Sequence, residues 1–141
     1  MYGDQHKVDR SFLRLVSYRH YGIELLDGTM CENSPPGVRI VAYADFARGR
    51  PTLVTNPGAS AAERAAAVER ALSRVGERRY SLSGNNCEHF ASWCATGVAV
   101  SQQVIAVGQQ VIAWMRAFFR IAAATAIALT GVALVQAAFA E

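Results

Sequence analysis

Short runs of alternating apolar and polar residues fill the first half of the chain, a pattern typical of strands joined by turns. Asp27-Gly28 is a strong hairpin signal and predicts a two-residue turn between two of these runs. Pro35-Pro36-Gly37 predicts a break before the next run. The predicted strands cover residues 12–16, 21–26, 29–32, 38–43 and 53–55. We therefore expect an antiparallel sheet in this half of the chain.

The pattern then changes to a helical period. Ser60 and Glu63 form a capping box with Ser60 as the N-cap, and an apolar face follows at helical spacing until Gly76 ends the helix. A later helix begins after a polar loop and has Gly97 as its stop. The predicted helices cover residues 45–50, 60–76 and 87–96.

Residues 101–141 are nearly uncharged and predict an apolar helical tail. Ile121 to Ala140 is a run of twenty uncharged residues, which makes about 30 Å of helix. An aromatic and cationic belt precedes this run: Trp114, Arg116, Phe118, Phe119 and Arg120. The belt predicts a membrane anchor over 121–140, with the rest of the chain on the cytoplasmic side. The alternative is a helix that is buried in an oligomer.

Charge and composition indicate a globular domain of residues 1–100 followed by that tail. The chain has 141 residues and a net charge of +3, and it carries no dense basic run, which argues against nucleic acid as a partner. Its 52% hydrophobic residues exclude intrinsic disorder. Three cysteines without a C-x-x-C pair argue against a disulfide framework or a structural zinc site, so we expect neither metal nor cofactor. We expect no signal peptide, because no apolar core precedes Phe12.

Cys87 is the best candidate for a reactive residue. It follows the polar loop at the predicted start of a helix, where free backbone N–H groups and the helix dipole stabilise an anion. This position predicts a lowered thiol pKa and a thiolate nucleophile. A cysteine nucleophile needs a base, and His20, which enters an apolar strand, is the candidate. Taken singly, a buried structural cysteine and a packed strand histidine are the commoner cases.

Two blocks of sequence, in this order, resemble the lecithin–retinol acyltransferase family. The first is Tyr18-Arg19-His20-Tyr21-Gly22-Ile23 with Asp27-Gly28. The second is Asn86-Cys87-Glu88-His89-Phe90 followed by Trp93-Cys94 and Gly97. The second block is highly specific, whereas the first would be weak alone. The spacing between the blocks is similar to that of the bacterial branch, and the resemblance covers roughly residues 3–100.

The resemblance implies an α+β domain with the permuted papain-like (NlpC-type) fold, in which an antiparallel sheet packs on helices. It also implies that Cys87 takes an acyl group from a phospholipid or other acyl-lipid and holds it as a thioester. The group then passes to an alcohol, an amine or water, as in an acyltransferase or a phospholipase A-type acyl hydrolase. His20 would be the general base, and then the general acid for the leaving oxygen.

The chain departs from the family at one position of this site. The family usually has a second histidine on the strand after the Asp-Gly turn, where it orients the first, and that position is Glu32 here. A carboxylate can accept the ring N–H of His20 and favour its imidazolium form. Alternation places Glu32 and Met30 on one face of the strand and Cys31 on the other. The predicted catalytic set is Cys87, His20 and Glu32, and the alternative is a solvated Glu32 in an impaired site.

Two other classes of function stay open from the sequence. The same fold would suit an NlpC-like cysteine amidase or peptidase, and the change at Glu32 would suit a catalytically impaired, membrane-tethered module. The expected location is the cytoplasmic face of a membrane, tail-anchored or peripheral, in a bacterium. Oligomers formed through the tail are a further expectation.

Overall fold

The alternating half of the sequence folds into an antiparallel sheet. A computed structural model describes residues 1–12 and 16–138, and it describes their side chains except at 12, 16, 124 and 126–138. The strands of this sheet are β1 (Gln5–Phe12), β2 (Val16–Glu24), β3 (Met30–Ser34), β4 (Gly37–Val41) and β5 (Thr52–Val54). Their order across the sheet is β4-β3-β2-β1-β5, and each neighbouring pair is antiparallel.

The described residues also form helices, most of them where the sequence predicts. They are α1 (Tyr43–Ala47), α2 (Ala61–Ser73), α3 (Cys87–Thr96) and α4 (Gln102–Ala138). The capping box at Ser60 is present, and Gly97 ends α3 in the left-handed conformation, as predicted. The bounds of α3 are those predicted, whereas α1 begins two residues earlier and ends three residues earlier than predicted.

The predicted first strand is wrong in its position. Residues 12–16 do not form one strand, because Phe12 ends β1 and Val16 begins β2, while residues 13–15 of that prediction lie outside the described residues. β2 consequently begins five residues before its predicted start. The whole of β1 before its last residue was not expected from the sequence.

Buried and exposed residues alternate along β1, as in other strands, but its buried residues are not all hydrophobic. His6, Val8 and Arg10 are buried and alternate with more exposed neighbours. The two buried polar side chains have partners, since His6 Nε2 lies 2.8 Å from Glu24 Oε2 and Arg10 Nη2 donates to the Phe46 carbonyl at 2.6 Å. These contacts compensate the His6 ring and one end of the Arg10 guanidinium, whose Nε has no hydrogen-bond partner among the described residues, and the strand packs without an apolar stripe.

The predicted hairpin at Asp27-Gly28 is confirmed, but its turn is longer than two residues. The Leu25 N–H donates to the Thr29 carbonyl at 2.8 Å, so three residues lie between the last bonded pair. Gly28 has a φ of 79°, in the left-handed region that glycine adopts without steric cost. The hairpin fixes the register of β2 against β3 and thereby the positions of the candidate site residues.

The two faces of the sheet are covered by different helices. α2 and α3 pack on one face, and α1 packs on the other over a smaller cluster of Val8, Met30 and Phe46. The larger core contains Tyr21, Ile23, Leu25, Cys31, Val38, Ala67, Val68, Ala71, Cys87, Phe90, Ala91 and Cys94. Strand alternation places His20 and Glu32 on the α1 face, and Cys31 on the opposite face, as predicted.

α4 is a continuous helix of 37 residues. Its stretch Gln102–Ala123 is, by length and composition, apolar enough to cross a membrane. Core helices of soluble proteins also have this length and composition. The predicted span, 121–140, lies mostly outside the residues whose side chains are described.

The α+β class, the antiparallel sheet and the C-terminal apolar helix are confirmed by these elements. The permuted papain-like arrangement stays a prediction. Contacts divide the chain into two compact units, Met1–Val104 and Ile105–Glu141. The functional division at residues 100 and 101 also stays a prediction.

Candidate active site

The predicted nucleophile lies at the first position of α3, behind an asparagine cap. Asn86 Oδ1 accepts hydrogen bonds from the main-chain N–H groups of Glu88, at 2.9 Å, and His89, at 3.0 Å. Asn86 has an extended backbone, from which its short side chain reaches back over the first turn. Cys87 is only 5% exposed, so it stands at a helix start but away from water.

The sulfur of Cys87 lies against the backbone on both sides of His20. The thiol donates to the Arg19 carbonyl, with 3.7 Å between Sγ and the oxygen, and the Tyr21 main-chain N–H acts to lower the pKa of the thiol. This part of β2 is open because β3 pairs with β2 only over Gly22–Glu24. The structure therefore brings Cys87 to the strand that carries His20, with its hydrogen bond made to Arg19 rather than to the imidazole ring.

Burial raises the pKa of the Cys87 thiol to about 11, although the surrounding N–H groups act to lower it. This contradicts the lowered pKa that the helix start predicts. The argument from the helix start counts the N–H groups and the dipole but leaves out the loss of water, which is the larger effect for a sulfur this buried. At neutral pH the resting residue is a thiol.

His20 and Glu32 form the closest polar contact of the site. Their Nε2 and Oε2 atoms are 2.6 Å apart, and the two residues are 3% and 2% exposed. Because an ionised carboxylate only accepts hydrogen bonds, the ring proton lies on Nε2 and the lone pair on Nδ1. Gly22 stands opposite Glu32 and has no side chain, which leaves room for this diagonal contact; a Cβ there would lie 2.9 Å from the Phe46 ring.

Two arginines that were not predicted as site residues lie next to Glu32, and Arg39 binds its second oxygen. Arg39 is the cross-strand partner of Glu32 on β4, and its Nε and Nη2 donate to Glu32 Oε1 at 3.0 and 2.8 Å. Arg10 Nη2 lies 3.9 Å from Glu32 Oε2. A sequence signal for this pair exists, because counting outward from a turn at Pro35-Pro36 pairs Glu32 with Arg39, as the register of β3 against β4 does.

The charge states of this pair follow from burial and from the arginines. Burial acts to raise the pKa of Glu32, but the contacts with His20 and Arg39 outweigh it and hold the pKa at about 2. Burial lowers the pKa of His20 and outweighs the hydrogen bond to Glu32; the charges of Arg10 and Arg48 lower it further. Glu32 acts to raise the pKa of His20 and so favours the imidazolium form, as predicted, but burial outweighs it. At neutral pH the carboxylate is therefore ionised and the imidazole of the resting site is neutral.

An open cleft of about 420 Å³ lies beside the orienting end of this site. Its lining consists of Glu32, Arg39, Val41, Ala44, Asp45 and Arg48. The cleft is polar, and the Cys87 sulfur is not part of its lining. It gives access to the carboxylate rather than to the candidate nucleophile.

A separate cluster of metal-ligand types lies at the other end of β2. Asp4, His6 and Glu24 place ligand atoms within 4.8 Å of one another. Glu24 already bonds to His6, and Asp4 forms an ion pair with Arg64. Since these partners compensate the carboxylates, the cluster is explained by packing without a cation.

Comparison with known proteins bears on residues 31–100, which match the family model of lecithin retinol acyltransferase. The chain is 34% identical over 83 residues to the lecithin retinol acyltransferase of Rattus norvegicus, a match that covers 56% of this chain and 35% of that protein. It is 37% identical over 70 residues to the Homo sapiens protein of that name, which covers 47% of this chain and 30% of that protein. The chain thus spans about a third of the length of the curated relatives it matches.

The family match includes Glu32 and Cys87 and begins after His20. The bacterial branch of the family stays a prediction. With the family model and these identities in agreement, the chain belongs to the lecithin retinol acyltransferase-like family.

Proposed function

We propose that this chain is a cysteine-dependent acyl-transfer enzyme acting on lipids. Cys87 is the nucleophile, His20 is the base, and Glu32 orients the base. The observation that carries the proposal is the 2.6 Å hydrogen bond from His20 to Glu32, on the strand whose backbone holds the Cys87 sulfur. The name shared by the relatives, lecithin retinol acyltransferase, supports the reaction class and a lipid substrate.

In the first half-reaction, His20 Nδ1 takes the thiol proton while the Cys87 sulfur attacks the ester carbonyl carbon of the lipid. The C–S bond forms, the ester C–O bond breaks, and His20 returns the proton to the departing oxygen. The acyl group is then a thioester on Cys87. The thiol must first exchange its hydrogen bond to Arg19 for one to the ring, and catalytic hydrogen bonds often form only in the substrate complex.

In the second half-reaction, an acceptor gives its proton to His20 and attacks the thioester carbon. The C–S bond breaks, and the Cys87 thiolate recovers the proton from His20. Water as the acceptor gives a phospholipase A-type hydrolase, whereas an alcohol or an amine gives an acyltransferase. The same residues serve both reactions, and access to the thioester decides between them.

Glu32 and Arg39 act on the charge that appears during these steps. Each half-reaction passes through an imidazolium at His20, and the ionised Glu32 stabilises it at 2.6 Å. Arg39 holds the carboxylate by its other oxygen and so keeps it ionised and fixed. Glu32 thereby takes the place that a second histidine has in the family. In this contact the His20 ring N–H is always the donor and the carboxylate is always the acceptor.

The test is direct detection of the thioester. Purified full-length chain is mixed with phosphatidylcholine vesicles, quenched in acid and analysed by intact mass and peptide mapping. We expect one acyl chain on Cys87 that hydroxylamine removes, no adduct for Cys87→Ser, and an unchanged adduct for Cys94→Ala, which alters another buried cysteine of the same helix.

Other outcomes would reject the proposal in distinguishable ways. Cleavage of peptide or isopeptide bonds without turnover of lipid would assign the chain to the amidase or peptidase class. A folded chain that forms no adduct and turns over neither substrate would be an impaired, membrane-tethered module. An adduct that persists in Cys87→Ser and maps to another residue would assign the nucleophile elsewhere.

We further propose that α4 associates the chain with a membrane. Its apolar stretch Gln102–Ala123 supports this by length and composition. Arg116 and Arg120 lie in the last third of that stretch, from which long cationic side chains can extend towards the headgroups. The test is flotation of the full chain with vesicles, compared with Ile112→Arg, which puts a charge within that stretch. We expect the wild type to float and the variant to do so less. A wild type that stays in the aqueous fraction as a defined oligomer would contradict membrane association.

A further inference from the structure

On the side towards β3, no described strand pairs with β2 next to His20, and a glutamine side chain takes the place of one. β3 pairs with β2 only from Gly22 to Glu24, so the backbone at Arg19 lies beyond the end of β3. Gln103 Oε1 accepts from the Arg19 N–H at 2.8 Å, and Gln103 Nε2 donates to the Arg19 carbonyl at 3.1 Å. The amide therefore makes the two bonds that a residue of a neighbouring strand would make.

Gln103 is itself held in place by a buried carboxylate. Glu88 Oε2 accepts from the Gln103 main-chain N–H at 3.1 Å, from Gln103 Nε2 at 3.2 Å and from the Ser101 hydroxyl at 2.6 Å. Ser101 is 2% exposed and Glu88 is 6% exposed, so the carboxylate that holds Gln103 is buried, while Gln103 itself is half-buried. Because Glu88 is the second residue of α3, the first turn of α4 is tied to the helix start that presents Cys87.

The network meets the candidate catalytic residues at one carbonyl. The Arg19 oxygen accepts from Gln103 Nε2 and also from the Cys87 thiol, and Arg19 directly precedes His20. A shift of this carbonyl would therefore move both the partner of the sulfur and the backbone of the base. Gln103 fixes it from the side that β3 leaves open.

We propose that Gln103 is a positioning residue for the Cys87–His20 pair. It acts through Arg19 and the buried Glu88 rather than on the substrate. An effect of Gln103 on acyl transfer rests on the function proposed above. The residue lies beyond the stretch 31–100 that matches the family model. The working site of this chain thus extends into the first turn of its apolar helix.

The test compares Gln103→Met with Gln102→Met in the full chain. Methionine keeps the length of the side chain but makes neither bond to Arg19, and Gln102 is the exposed neighbour on the same helix. Misplacement of catalytic groups by a fraction of an ångström lowers kcat, so we expect a loss of about ten- to a hundredfold for Gln103→Met, with KM little changed. Gln102→Met should stay within about twofold of the wild type.

A second measurement follows the sulfur without any substrate. We measure the rate of Cys87 alkylation by iodoacetamide across a pH series, with the modified residue identified by peptide mapping. Loss of the Gln103 amide opens the strand edge to water, which weakens the burial that raises the thiol pKa. Alkylation should therefore become several-fold faster while acyl transfer becomes slower. Gln103→Asn, which keeps an amide too short to bridge both groups of Arg19, gives the same test with a smaller change in packing.

Three results would overturn the proposal. Wild-type values of kcat and alkylation rate in Gln103→Met would show that the contact positions nothing. Equal effects of Gln103→Met and Gln102→Met would show that any substitution in this turn of the helix changes the rates, with no special role for Gln103. A lowered melting temperature with unchanged alkylation of the folded protein would assign Gln103 to stability alone. If the wild type transfers no acyl group, the proposed function fails, but faster alkylation in Gln103→Met would still support positioning of the sulfur.

Discussion

The two faces of the sheet differ in what they bury. The α2/α3 face buries apolar side chains such as Ile23 and Phe90, which need only close packing. The α1 face buries His20, Glu32 and Arg10, each with a charged or polar partner. One set of alternating strands thus supplies both a dry core and a polar site. The comparison teaches that substitutions on the first face should act mainly on stability, and those on the second mainly on rate and pH dependence.

The largest effect is expected on the α2/α3 face. Phe90→Ala removes a side chain that is fully buried in the larger core, and it should lower the free energy of unfolding by about 3 to 5 kcal/mol. Urea denaturation followed by circular dichroism measures this loss. A cost below about 1 kcal/mol would mean that this face is not the main source of stability.

On the α1 face, Glu32→Ala should slow acyl transfer by about one to three powers of ten, comparable with the loss of a component of general-base catalysis. Glu32→Gln keeps a hydrogen-bonding group but removes the charge, so its loss should be smaller. The measurement is kcat per folded molecule, with folding checked by circular dichroism. Equal activity of the wild type and both variants would remove Glu32 from the mechanism.

Acid should destabilise the fold through this same face. The folded pKa of Glu32, about 2, lies below its ordinary value of 4.5, so its contribution to stability is present above pH 4.5 and is lost as the pH falls towards 2. His20, whose pKa burial lowers, adds a loss that begins as the pH falls through its ordinary value of 6.5, because the unfolded chain binds the proton first. Unfolding at a series of pH values should show a decline on the order of 3 kcal/mol from Glu32. In Glu32→Gln, the decline in the free energy of unfolding between pH 4.5 and 2 should disappear, and the decline due to His20 should stay.

The smallest effect is expected at Arg39, which is half-exposed and touches only the far side of Glu32. Arg39→Gln leaves the Glu32 charge less compensated, which raises the pKa of His20 and moves the acid limb of kcat/KM to higher pH. We expect a loss of about threefold to tenfold at neutral pH, and a smaller one for Arg39→Lys, which keeps the charge. An unchanged pH profile in both variants would limit Arg39 to a surface ion pair.

The sequence was sufficient for the features that depend on local chemistry. The start of α3 after a polar loop follows from capping preferences. The contact of Glu32 with His20 is what the family resemblance implies, and strand alternation agrees with it. β1 could not be predicted by hydrophobicity, because its buried positions are His6 and Arg10 as well as Val8. The hydrogen bonds that make those positions stable come from distant residues, which a reading along the chain does not pair.

The predicted lowering of the Cys87 pKa is wrong for a different reason. A helix start favours a thiolate only while the sulfur keeps its contact with water, and the packing of α3 against β2 removes that contact. Neither the burial of Cys87 nor the closure of the strand edge by Gln103 can be inferred from spacing. Both depend on how far β3 extends along β2, which the hairpin register sets.

The hydrogen-bonded side chains His20, Glu32 and Arg39 form a chain that cannot carry a proton away from His20. Glu32 accepts from His20 through one oxygen and from Arg39 through the other, and arginine has no lone pair to take a proton onward. A carboxylate with a pKa of about 2 is also a poor resting place for a proton. In the proposed mechanism, a proton that leaves Cys87 therefore stays on His20, from which it can return to the departing oxygen. A histidine at position 32 could release a proton through its second ring nitrogen. Glutamate cannot do so here, and the proton can leave His20 only towards the substrate.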